Sequence, residues 1–112
     1  MFIAIVQIPI KKRSKEDAIK AAKASAPTFV EARGLIRKYY LNGDDGGGGV
    51  YLWESREAAE AWYNDKWWVR AEKSFGVRPK LTYYDNYVVV DNVSKEVRVD
   101  GEVVTLEPAT AE

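Results

Sequence analysis

With neither histidine nor cysteine among its 112 residues, the chain must draw any chemistry from Tyr, Trp, Asn, Arg, Lys or carboxylates. That alone excludes thiol nucleophiles, disulfides, thiolate metal sites and histidine-ligated zinc or haem. No tyrosine is marked out as an iron ligand and no carboxylate cluster for magnesium is visible, so neither a metal nor a cofactor is expected. What the chain does hold is aromatic: four Trp and seven Tyr. They are dense between Gly48 and Tyr63, where an apolar strand runs into a capped helix. Glu54 and Asp85 are carboxylates near strand ends, without a partner at a helpful spacing. The glycine run from Gly46 lacks the Gly-Lys-Ser/Thr ending of a phosphate loop and is followed by a strand, so it reads as a mobile hairpin tip. Lys11, Lys12, Arg13 and Lys15 read as a solvated loop, because seventeen basic and seventeen acidic residues cancel and no nucleic-acid-binding pattern accompanies the cluster.

The elements that must position these groups follow from periodicity and punctuation. Phe2–Ile8 is apolar on both faces, with Phe2, Ala4, Val6 and Ile8 on one and Ile3 and Ile5 on the other. Ser14 to Asp17 resembles a capping box and opens a helix with the apolar stripe Ala18, Ile19, Ala22 and Ala26. Pro27 is expected to break or kink that helix, with Phe29 and Val30 packing beyond the break. Leu35–Leu41 and Val50–Glu54 read as a hairpin around a turn from Asn42 to Gly47. Ser55 caps a second helix, interrupted at Asn64-Asp65, with Asp65 capping a further segment from Lys66 to Phe75 that Gly76 closes. In that segment Trp68, Ala71 and Phe75 share one face, whereas Trp67 is turned about 100° away beside Arg70. Leu81–Val90 reads as a long last strand and Glu96–Leu106 as a small hairpin around Asp100-Gly101, with disorder beyond Pro108.

The order strand, helix, strand, strand, helix, strand predicts an α+β fold: a ferredoxin-like βαββαβ antiparallel sheet with both helices on one face, over residues 1–92. Residues 93–112 form a C-terminal extension with a β-hairpin and a disordered end. Helices on one face alone would leave the other apolar face in water. That predicts a homodimer in which two sheets pack face to face and close an α/β barrel between subunits. The first residues lack a secretory signal and no segment reaches the ~18 apolar residues of a membrane span. A cytoplasmic protein with no membrane partner and no nucleic-acid partner is the expectation.

Three stretches, Gly34-Leu35-Ile36-Arg37-Lys38-Tyr39-Tyr40, Gly48-Gly49-Val50-Tyr51-Leu52-Trp53-Glu54-Ser55 and Tyr84-Asp85-Asn86-Tyr87-Val88-Val89-Val90-Asp91-Asn92, together resemble the YdhR-type monooxygenases of the dimeric α/β-barrel superfamily. The resemblance covers residues 1–92 and leaves the terminal hairpin outside it. It implies a cofactor-free oxidation of a small aromatic or polycyclic phenolic substrate, as in the antibiotic-biosynthesis monooxygenases of that superfamily, within a cavity between helices and sheet. On that footing Trp67, Tyr51 and Arg70 are the candidate catalytic residues, and Trp62, Trp53, Tyr39 and Asn64 the candidate substrate-binding ones, with Arg70 or Asn64 holding an oxyanion. Each has a plainer alternative: Trp62 and Trp68 as core aromatics, Trp67 as an interface residue, the tyrosines as ordinary strand residues, Arg70 as a solvated or Trp-stacked cation. A non-catalytic small-molecule-binding or stress-response protein on the same scaffold is the alternative function, and isomerase or decarboxylase chemistry a third.

Overall fold

The structure, a computed structural model, describes residues 1–106. β1 (Phe2–Ile8), apolar on both sides, takes an interior place in a four-stranded antiparallel sheet. The strand order is β2 (Leu35–Gly43), β3 (Gly46–Trp53), β1, β4 (Lys80–Asp85). α1 (Lys15–Val30), α2 (Arg56–Trp62) and α3 (Asp65–Phe75) cover one face. This is the expected ferredoxin-like arrangement, with the second helical stretch divided in two.

Register sorts the strand residues by face. Phe2, Ala4, Val6 and Ile8 turn toward the helices with Tyr51 and Trp53, and pack with Ala59, Tyr63, Trp67 and Ala71 into one buried cluster. The opposite face carries Ile3 and Ile5 beside Leu52 and Val50, flanked by Tyr39, Leu41 and Tyr84, which are exposed. The two-sided strand therefore does leave an apolar sheet face with no helix over it.

Several expectations are corrected. Pro27 does not end α1, which continues to Val30. It removes one amide donor near the end of the helix, where Phe29 is already held in an aromatic cluster and its carbonyl accepts from the Ala32 amide. Val30 is exposed, outside the core. The glycine run is a strand instead of a loop tip: Gly47, Gly48 and Gly49 pair with Ile8, Gln7 and Val6, and only Asp44-Asp45 turn the hairpin. Gly46 and Gly48 have φ of +136° and +130°, and a Cβ on either would overlap a β1 carbonyl oxygen, so only glycine lets the two backbones approach this closely. In α3 the inward face is Trp67 and Ala71, while Trp68 lies at the periphery with Arg78 over its ring. The N-cap is Asn64, whose Oδ1 accepts from the Trp67 amide at 3.0 Å, and Asp65 sits in the first turn.

The long last strand is also broken. After β4 the chain turns at Asn86-Tyr87 and leaves the first sheet as β5 (Val88–Asp91), which pairs with β6 (Glu96–Val99) and β7 (Glu102–Val104) in a separate three-stranded sheet. The Asp100-Gly101 turn has positive φ at both residues, as a tight hairpin requires. This arm is tied at its root, where the Asn86 amide donates to Met1 O and the Met1 ammonium donates to Asn86 O. The expected disorder beyond Pro108 lies outside the described residues. Among the described residues no helix is long and apolar enough to cross a membrane.

Gly48→Ala is expected to cost at least ~2 kcal/mol in a urea titration, since it adds a clash to an unfavourable φ. Gly76→Ala, at φ +73° with open space around the new methyl, should cost about 1 kcal/mol. Equal losses would contradict the close approach of β3 to β1.

Candidate functional site

Between α1, α3 and the sheet lies a cavity of about 620 Å³, within the size range of small-molecule sites. Small residues help keep it open: α1 lines it with Ala18, Ala21, Ala22 and Ser25 beside the larger Ile19, Thr28 and Phe29, and α1 buries none of its residues although it lies against the sheet. Opposite, Gly47 and Gly48 are bare strand.

The deep end is aromatic. Phe29 meets Tyr51 at 5.8 Å and Trp62 at 5.5 Å between ring centroids, and Trp67 meets Tyr63 edge-on at 4.9 Å. Tyr51 and Tyr63 are perpendicular at 5.6 Å, so both are held from two sides. Behind them the fully buried Trp53 donates from Nε1 to the Tyr63 hydroxyl at 3.3 Å. Trp62 Nε1 is buried without a hydrogen-bond partner among the described residues. Burial pushes the Tyr51 and Tyr63 phenols well above the ordinary tyrosine range, so both stay neutral donors at physiological pH.

Charge in the cavity has one sign. Arg13, Lys38 and Arg70 line it, and among the described residues no carboxylate does. Arg13 is fixed by a reciprocal pair: its amide donates to Asn42 Oδ1 at 3.0 Å, and Asn42 Nδ2 donates to its carbonyl at 2.9 Å. Lys38 lies inside, its Nζ 3.4 Å from the Phe29 ring centroid, 3.9 Å from Tyr40 and 4.8 Å from Tyr51. Burial lowers its amine from 10.5 to about 7. Removing a lone ammonium from water costs several kcal/mol; cation–π contacts return up to roughly 2 kcal/mol each. Across the cavity's outer edge Ser25 Oγ and the Tyr40 hydroxyl are hydrogen-bonded at 2.8 Å.

The residues singled out from sequence divide accordingly. Tyr51, Trp62, Trp67 and Arg70 come together around the cavity. Trp53 lies behind it in the core. Tyr39 is on the other face of the sheet, paired with Val50 and exposed. Asn64 has both side-chain polar atoms engaged in the cap, Nδ2 donating to Ala61 O. Lys38, Phe29, Tyr40, Arg13 and Tyr63 were not singled out. Simple alternation from Leu35, which pairs with Trp53, would have placed Arg37 and Tyr39 on the helix side; the bulge between Leu35 and Arg37 puts Lys38, opposite Tyr51, and Tyr40 there instead. Among the described residues no three carboxylates are grouped to hold a metal ion.

The chain shares its fold with a solved structure from Streptomyces coelicolor, described as a monooxygenase from the gene ActVA-Orf6 in complex with the ligand nanaomycin D. The TM-score is 0.55 at 19% identity, covering 76% of this chain and 86% of that one. No protein-family model and no curated protein matches the sequence.

The lowered Lys38 amine has a measurable consequence. Folded, Lys38 gives up its proton near pH 7; unfolded, it keeps it to about 10.5. Between those values the unfolded chain binds the extra proton, so folding becomes more favourable as pH rises. Urea midpoints should climb from about pH 7 toward 9 in the wild type, and Lys38→Met should flatten that slope. A slope unchanged in the variant would place Lys38 in water.

Proposed function

We propose that the protein is a cofactor-independent monooxygenase that binds a small aromatic or polycyclic phenol in this cavity and oxidises it with molecular oxygen, working as a cytoplasmic homodimer. The observation that carries the reading is the cavity itself: aromatic at its deep end, cationic in its lining and, among the described residues, free of carboxylates. The fold shared with a nanaomycin-binding monooxygenase, and the resemblance to the YdhR-type family, support it.

Such a reaction needs an electron-rich ring held dry and in place. The net change converts a phenol and dioxygen to a quinone and water: one oxygen atom joins the ring and the other leaves as water with the two hydrogens lost. Trp67 and Trp62 are the walls that position the ring. Tyr51, neutral because it is buried, donates to the substrate oxygen, and Arg70 at the rim stabilises the oxyanion. The homodimer reading is supported by the uncovered apolar face of Ile3, Ile5, Val50 and Leu52, which a second copy of the same face would cover.

Oxygen uptake by metal-stripped protein with reduced polycyclic phenols is the test. Tyr51→Phe and Trp67→Phe are expected to cut it roughly tenfold or more. Quenching of tryptophan fluorescence without uptake would instead favour a binding protein.

Sedimentation should give a dimer, and Leu52→Arg a folded monomer; a wild-type monomer would remove the barrel.

A further inference from the structure

Lys38 is placed unusually for a lysine on an edge strand. β2 is an edge strand, and a lysine there can run its stem along the surface and leave the amine in water. Instead its Nζ stands over the rings of Phe29, Tyr40 and Tyr51, and among the described ion pairs it takes part in none. Gly49 clears its path: a Cβ there would come within 3.1 Å of Lys38 Cε and 3.1 Å of the Tyr51 ring.

The other titratable or charged groups facing the cavity are Tyr40 on the same strand, Tyr51 on β3, Arg13 from the loop before α1, and Arg70 on α3; the lining residues of β1, α1 and α2 carry none. Burial holds the Tyr51 phenol in its neutral form and lowers the Lys38 amine to about 7.

We propose that Lys38 ionises the ligand: its neutral amine takes the proton of an acidic aromatic hydroxyl, and the resulting ammonium holds the aryloxide beside Phe29 and Tyr51. The O–H bond breaks as an N–H bond forms, and no electrons are gained or lost. Lys38 that is already protonated selects the aryloxide directly, so both routes end in the same ammonium–aryloxide pair. The ligand class narrows to polycyclic phenols with an acidic hydroxyl at the ring edge. The inference deepens the reading of the cavity as an aromatic-ligand site and rests on it, but not on oxygen being consumed there.

Alizarin, whose colour reports its ionisation, is the probe. It is titrated from mildly acidic to mildly alkaline pH in oxygen-free buffer, alone and with excess protein. Bound to wild type, its first ionisation should move toward acid by about one unit or more, a tenfold change in the equilibrium. Lys38→Met should bind the neutral dye and lose that shift. Lys38→Arg, a cation that cannot accept a proton, should keep the shift at acidic pH; above neutrality, where the free dye is already an aryloxide, binding to wild type should draw one proton from solvent onto the Lys38 amine and binding to Lys38→Arg none. An unshifted dye that still binds, or a shift retained in Lys38→Met, overturns the role of Lys38 and leaves the aromatic-ligand site standing. Failure of the dye to bind overturns both, and absent oxygen uptake with an intact shift overturns only the oxidation.

Discussion

The cavity depends on small residues set into two facing surfaces, alanines on α1 and glycines on β3. A helix laid on a sheet normally interdigitates with it and excludes voids. Here α1 lines the gap with three alanines and a serine beside Ile19, Thr28 and Phe29, and β3 lines it with Gly47 and Gly48, so the two layers leave a space between them. The glycines serve twice. Two of them let β3 approach β1 closely at positive φ, and Gly49 leaves the volume through which the Lys38 stem passes. Larger residues on the α1 wall would fill the gap and remove the site, whereas on the glycine wall they would clash with β1.

Around that void the aromatic residues form a rigid frame. Tyr63, at the C-cap of α2, is the hinge of the cluster: it touches Tyr51, Trp53 and Trp67 edge-on and accepts the Trp53 hydrogen bond. It thereby couples the sheet to both short helices, and the break between them turns Trp67 inward. The same dry surroundings that keep Tyr51 protonated strip the charge from Lys38 near neutrality. A single cause, exclusion of water, thus prepares a donor and a proton acceptor within one cavity.

Much of the fold was legible because it rests on local signals: two-sided strand patterns, Ser14 and Ser55 at helix starts, Gly76 at a helix end, Asp-Gly at the arm hairpin. The order of elements then left few topologies open. What could not be read depended on distant partners. A glycine run looks like a loop until a neighbouring carbonyl is known to pass close by. Pro27 looks like a break until Phe29 beyond it is anchored. Trp67 and Trp68 are adjacent, and only the packing of Tyr63 decides which is inside. Lys38 carried no signal of its own, because a lysine on an edge strand is ordinarily wet.

The central claim is that the void between α1 and the sheet is a binding site, and filling it tests that most directly. Ala22→Phe puts a ring into the cavity from the middle of α1. Calorimetric titration with a polycyclic phenol, beside a urea titration of the same variant, should show binding lost with stability held or raised, as expected when an apolar gap is filled. Unchanged affinity in a stable Ala22→Phe protein would contradict the account and place ligand binding elsewhere.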